Sequence, residues 1–272
     1  MTEKIIRTSA VPKEDGFIGE GGYGKVEHAD VLVQLLQRSH PEEEYVISRE
    51  KKKEGVFVTK TYTGPDAIKN AARAIHNFEL IKEAGVARRP STFRLSDTDP
   101  RVVIAQLLID EDHWLLSSNS MPKSDEMRPI SFDMGSFHTM LETLKSELQK
   151  MSENGIELTD PDAIFFVLPK GGQENTPVNF FFGDFDTLSL GFDPEMTMQE
   201  NVTQMMKALF TLILSQKLDK SANAETRDFR WAEVLTQIQL WGSEFNVDAR
   251  AVYRTWIAEV KARARQADKK QA

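Results

Sequence analysis

Cysteine is absent from the 272 residues. This excludes disulfides, thiol nucleophiles and Cys-ligated zinc, and it leaves the redox compartment open. Basic charge is in deficit, since 34 Lys+Arg stand against 42 Asp+Glu and give a net charge of −8. A general nucleic-acid coat, which depends on clustered Lys and Arg neutralising phosphates, is not expected. Long apolar runs are missing too. Ala208–Leu214 is broken by Thr211 and Val102–Ile109 by Gln106, and neither approaches the roughly 18 residues of a membrane span. The N-terminal Met-Thr-Glu-Lys-Ile-Ile-Arg lacks the apolar core of a signal peptide. Histidine is scarce: the five present form no metal-ligand spacing, and His76 reads as a helix-surface residue. The expectation is a soluble protein without a membrane span, either cytoplasmic or secreted into a host cell by a system that leaves no mark in the sequence.

The chain is 40% hydrophobic and 28% charged, enough apolar content for a sizeable core and too much for a disordered chain. Residues 17–110 hold glycines, a charged segment and short β-like runs, whereas 131–272 are mostly helical in pattern, with a β-rich interruption at 163–186. Val31–Leu36 fits a strand or a helical insertion. Arg38–Glu54 is dense in charge and reads as a solvated loop or hairpin, and Val56–Tyr62 is rich in β-formers and reads as a strand. Pro65 and Gly85 bracket a helix. Ile68, Ala72 and Ile75 define its apolar stripe, and Glu79 continues that stripe, which calls for a cationic partner because a lone buried charge is costly. Ser91–Leu95 and Val102–Ile109 are further strands. Phe137, Leu141, Leu144, Leu148 and Met151 mark a long helix over 131–153 that ends near Asn154-Gly155. Ala163–Leu168 and Val178–Phe182 are apolar strands around a turn at Gly171-Gly172. Helical patterns cover 197–216, 227–241 and 247–266; the last carries Val252, Trp256 and Val260 on one side and ends in a basic, frayed tail.

Chemistry concentrates at four places. Gly19, Gly21, Gly24 and Val26 form G-x-G-x-x-G-x-V, where missing side chains let backbone N–H groups approach phosphate oxygens. A dinucleotide-binding reading requires an apolar strand before this motif and a helix after it, and Lys13-Glu14-Asp15-Gly16 make a poor buried strand. A Walker loop requires Gly-Lys-Ser/Thr, which Gly24-Lys25-Val26 does not supply. Lys60 ends the Val56–Lys60 run. Glu79 lies nineteen residues further on, on the helix stripe. Gly183-Asp184-Phe185-Asp186 closes an apolar strand, where a carboxylate can reach a metal ion.

In this order the four features resemble the protein-kinase-like superfamily, over about residues 16–215, with Asp-Phe-Asp in place of Asp-Phe-Gly as in small bacterial kinase-like proteins. The resemblance implies an α+β, two-lobed fold: a β-rich lobe over 1–110 with one helix, and a compact, mainly helical lobe over 111–272, hinged near Gln106–Asp110 or Ser117–Ser120. It implies that the glycines, Val26 and Lys60 bind ATP, that Glu79 pairs with Lys60 to orient it, that Asp184 holds magnesium, and that Asp160 is the catalytic carboxylate. The sequence departs from the family at Leu158 for the usual His, at Phe165 for the usual Asn, and in the short Thr187–Glu195, where Asp193-Pro194-Glu195 stands in for Ala-Pro-Glu. Asp162 is the rival base or replacement ligand. Three functions compete: an ATP- and magnesium-dependent phosphotransferase acting on protein Ser/Thr; a pseudokinase that binds nucleotide or a partner, or transfers another part of ATP; and a small-molecule kinase.

Overall fold

A computed structural model describes residues 4–7, 17–21, 24–28, 45–48, 56–89, 91–94, 97–106, 113–116, 134–169, 179–186, 188–217 and 224–271. The fold is α+β, with five helices among the described residues. The chain divides into two compact units, one of 1–115 with 181–187 and the other of 116–180 with 188–272.

In the first unit, β1 (Lys4–Arg7) pairs in parallel with β4 (Tyr45–Ser48). Part of the charged segment is thus a strand, paired in parallel with β1; the rest of that segment lies outside the described residues. The main sheet is antiparallel, in the order β2 (Phe17–Gly21), β3 (Gly24–His28), β5 (Val56–Tyr62), β7 (Arg101–Gln106), β6 (Ser91–Arg94). The glycine motif folds as a hairpin, and Gly21 opposes Gly24 beside its tip. A strand after the glycines, rather than a helix, removes the dinucleotide-binding alternative. Helix α1 (Ala67–Glu83) packs on β5, β6 and β7. It ends as the sequence indicates: Gly85 adopts φ +75°, its N–H donates to the Lys82 carbonyl at 3.0 Å, and the Val86 N–H donates to that of Ile81 at 3.3 Å. These two bonds satisfy carbonyls the helix would otherwise leave open.

The buried face of α1 is not the expected one. Ala71, Ala74, Asn77, Phe78 and Ile81 are buried, while Ile68 is 49% exposed. The choice follows from packing distance. Ala71 and Ala74 meet Tyr62 and Val102, and small side chains let the helix approach the sheet closely. The larger Ile68 and the charged Glu79 turn away.

In the second unit, α2 (Met134–Glu153) buries Phe137, Leu141, Leu144, Leu148 and Met151, the stripe read from the sequence. β9 (Ile156–Leu158) follows at once and pairs antiparallel with β12 (Leu188–Leu190). The corner between them depends on two glycines. Gly155 has φ +68°, and the Gly191 N–H donates to its carbonyl at 2.8 Å. A Cβ on Gly191 would fall 2.1 Å from Thr197 Oγ1. β10 (Ile164–Pro169) and β11 (Asn179–Phe182) are the two expected apolar strands. The chain passes from the first unit to the second within β8 (His113–Leu116) and back to the first within β11.

Helices α3 (Pro194–Lys217), α4 (Ala224–Glu244) and α5 (Ala249–Gln271) complete it. α3 begins earlier than its apolar pattern because Asp193-Pro194-Glu195 is a helix start: Asp193 Oδ1 accepts the Glu195 N–H at 2.9 Å, with proline at the favoured first position. α5 continues as helix to Gln271 instead of fraying in its basic tail. Val31–Leu36, the Gly171-Gly172 turn and both candidate hinges, apart from Gln106, lie outside the described residues.

Candidate functional site

The site belongs to the first unit, and three stretches of chain build it. Strand alternation sends Lys60 and Tyr62 of β5 to one face. The segment Phe181–Thr187 returns to this unit, fastened by the Phe182 N–H, which donates to the Arg88 carbonyl at 2.7 Å. It delivers Asp184-Phe185-Asp186. Helix α1 supplies Asn77 and Phe78.

The Lys60 ammonium donates to Asp184 Oδ1 and to Asp186 Oδ2, each at 2.5 Å. The Tyr62 hydroxyl donates to Asp186 Oδ1, and the ammonium lies 5.5 Å from the Tyr62 ring centre. Between the carboxylates, Phe185 is fully buried. Its ring meets Phe78 edge-on at 4.9 Å, a favoured aromatic geometry, and its carbonyl accepts from Asn77 Nδ2 at 2.6 Å. Asp184 sits at φ +53°, a left-handed conformation that Asp tolerates better than most residues. Backbone, ring and carboxylates of the Asp-Phe-Asp turn are therefore each held by a different group.

The carboxylates differ in exposure: 40% for the Asp184 side chain and 9% for that of Asp186, with Lys60 at 12%. Burial works to lower the Lys60 pKa, but attraction to Asp184 and Asp186 and their hydrogen bonds outweigh it and raise the pKa above its ordinary value. Lys60 is thus a fixed cation and not a base. Burial, and then the Asp186 charge and hydrogen bond, push the Tyr62 phenol up as well; it stays a neutral donor.

The sheet register connects the glycine hairpin to this cluster. Val26 opposes Lys60 and Gly24 opposes Tyr62, while Gly19 opposes Val26 one strand further out. Gly19, Gly21, Gly24, Val26, Lys60 and Asp184 thus belong to one sheet and the turn fastened to it.

Glu79 does not join them. Its carboxylate accepts from Lys82 Nζ at 2.9 Å, one turn along α1, and the expected Lys60–Glu79 pair is replaced by the two aspartates. The reason is the rotation of α1 described above, which directs Asn77 and Phe78 inward.

Asp160 belongs to the second unit. Its Oδ1 accepts the Asp162 N–H at 2.9 Å and caps the short 3₁₀ turn Pro161–Ala163. Asp162 is buried. The loop is anchored from α3 by the buried Asn201, whose Nδ2 donates to Ser152 Oγ and to the Ile156 carbonyl, both at 2.9 Å, and whose Oδ1 accepts the Leu158 N–H at 2.7 Å. Sequence reasoning missed Tyr62, Asn77, Asp186 and Asn201. Asp186 and Tyr62 had a signal in their two-residue spacing from Asp184 and Lys60. Asn77 and Asn201 had none, because a lone Asn in a helix does not reveal which face is buried.

Chemically, a held lysine, one exposed carboxylate and one buried carboxylate offer a cation for an anionic ligand and hard oxygen donors for a divalent metal. Two carboxylates suit magnesium, which retains water and substrate phosphates as its other ligands. No cluster of three or more potential metal ligands occurs among the described residues. No protein-family model and no curated protein matches the chain.

Proposed function

We propose that the protein is an ATP- and magnesium-dependent phosphotransferase of the protein-kinase-like type, two-lobed and acting on protein Ser/Thr. The observation that carries this reading is the double grip of Asp184 and Asp186 on Lys60, with the glycine hairpin in register beside it.

Each residue then has a physical task. The hairpin glycines leave room for backbone N–H groups to approach phosphate oxygens. Lys60, kept protonated, attracts the phosphates, which compete with the aspartates for it. Asp184, the more exposed carboxylate, would hold magnesium, and Asp186 would keep its position through Tyr62. Bound magnesium supplies neutralisation of the charge on the phosphate oxygens. Asp160 is assigned to the acceptor hydroxyl by the family resemblance, and a carboxylate within reach of such a hydroxyl contributes about 10²–10⁴-fold.

A second reading, the pseudokinase, is favoured by Asp160 being occupied as a turn cap and by Leu158 and Phe165 at the usual His and Asn positions. A small-molecule kinase is favoured by how soon β12 and α3 take up the chain after Asp186.

Thermal-shift titration with ATP, with and without magnesium, tests the proposal. A magnesium-dependent rise in melting temperature is expected by mass action, together with its loss in Asp184→Asn, which suits the left-handed backbone. Radiolabelled ATP with generic protein acceptors then reads transfer, which Asp160→Asn should remove. A shift that ignores magnesium, or transfer absent from the wild type, replaces the phosphotransferase with the pseudokinase. An unaltered response in folded Asp184→Asn removes that residue as metal ligand.

A further inference from the structure

We infer that the helical unit carries a separate binding site for a single-chain amphiphile with a carboxylate head, such as a medium-chain fatty acid. A cavity of about 360 Å³ opens between α3, α4 and α5, within the range of about 300–1,000 Å³ usual for small-molecule sites. Its inner wall is apolar and buried: Phe210 and Ile213 come from α3 and Ile238 from α4. Tyr253 of α5 stands nearer the mouth, 40% exposed, with its ring 5.1 Å from that of Phe210. An acyl chain gains binding free energy with each methylene it buries against such a wall.

The mouth has the opposite character. Arg250 and Arg254 line it, four residues apart and therefore on one face of α5. Both are exposed, and no carboxylate among the described residues forms an ion pair with either. Three lysines of this unit do have partners: Lys207 pairs with Glu259 at 3.5 Å, Lys145 with Glu244 at 2.5 Å and Lys150 with Glu147 at 2.8 Å. Asp248 is turned to the helix end, where its Oδ1 accepts the Arg250 and Ala251 N–H groups at 2.9 and 3.2 Å. Two neighbouring like charges on a helix repel each other, and an anion between them relieves that repulsion. In a chain of net charge −8, a cationic mouth over an apolar floor is complementary to an amphiphilic anion. Guanidinium forks match a carboxylate in shape as well as charge.

Isothermal titration of the full chain with decanoate at neutral pH, below its micelle concentration, tests the site, with decyltrimethylammonium as the probe of reversed head charge. One equivalent of decanoate should bind saturably, and the cationic probe should bind about tenfold or more weakly. The double variant Arg250→Gln/Arg254→Gln should weaken decanoate binding by at least about tenfold, as expected on losing charge-assisted hydrogen bonds. Gln239→Trp, an exposed substitution at the cavity edge, should block it. All three substitutions are at exposed positions, so folding is retained. The inference is overturned by the absence of saturable decanoate binding, by equal binding of the two probes, or by variants that bind as the wild type does. Binding of an acidic amphipathic peptide without binding of decanoate also overturns it, and makes the cavity a protein-docking groove.

Discussion

Two aspartate-bearing turns follow strands in this protein, and they are held in unlike ways. In the first unit, Asp184 and Asp186 close on a lysine from a distant strand, with a tyrosine and an asparagine completing the enclosure. In the second, Asp160 bonds a backbone N–H two residues away, and the fastening comes from Asn201 beneath the loop. The first turn is an electrostatic assembly of residues far apart in sequence. The second is a local turn with a neutral anchor. A carboxylate at the end of a strand thus gains its character from what the rest of the chain brings to it.

The comparison breaks most readily at Lys60. Lys60→Met leaves Asp186 buried without its cation, and removing one partner of a buried pair typically costs about 3–5 kcal/mol. Urea denaturation should show a loss of that order, well above that of any single change at the Asp160 turn. A loss no larger than that of Asp160→Ala would erase the distinction between the two turns.

Tyr62 sharpens it next. Tyr62→Phe removes a hydrogen bond to a charged acceptor, worth about 1.5–3 kcal/mol. Its folded pKa is raised above the ordinary 10.0, so its contribution is complete below that pH and is lost as the pH rises beyond it. Lys60, raised from 10.5, has the same sign. Stability should therefore fall on the alkaline side above about pH 10. In an ultraviolet titration, one of the four tyrosines should ionise only with unfolding, and that phase should vanish in Tyr62→Phe. A titration in which all four ionise in the folded protein would remove Tyr62 from the assembly.

Asp160→Ala should cost about 1 kcal/mol, the usual loss of a cap, with no alkaline signature. The smallest stability effect belongs to Asp184→Asn. Its side chain is 40% exposed and solvent screens its pairing, so about 1 kcal/mol or less is expected by denaturation, even though the nucleotide response is lost. A large destabilisation by this variant would place Asp184 with Asp186 as a structural residue.

Local pattern was a good guide wherever a stripe had one reading. The α2 stripe from Phe137 to Met151, the glycine stop at Gly85 and the apolar strands β10 and β11 were legible because 3.6-residue and two-residue periods are backbone geometry. In α1 two stripes competed. The expected stripe kept Ile75 packed against the core but turned Ile68 and Glu79 outward, while Ala71 and Ala74 took the centre of the buried face, where the sheet must be approached closely. That rotation moved Glu79 outward and brought Asn77 in.

The sequence by itself determined the five helices, the strands β5, β6, β7, β10 and β11 and the positions of the motif glycines, because these depend on propensity, period and turn chemistry within a few residues; β1, β4, β9 and β12 are short strands it did not reveal. It also brought Lys60 and Asp184 forward as candidates. Only the tertiary structure decided that Asp186 and Tyr62 share the lysine, that Glu79 stays outside, and that α3, α4 and α5 enclose a cavity with two arginines at its mouth. Those outcomes depend on which faces pack together and on which charge arrives opposite which. Chain separations such as the 124 residues between Lys60 and Asp184 leave no local trace of either.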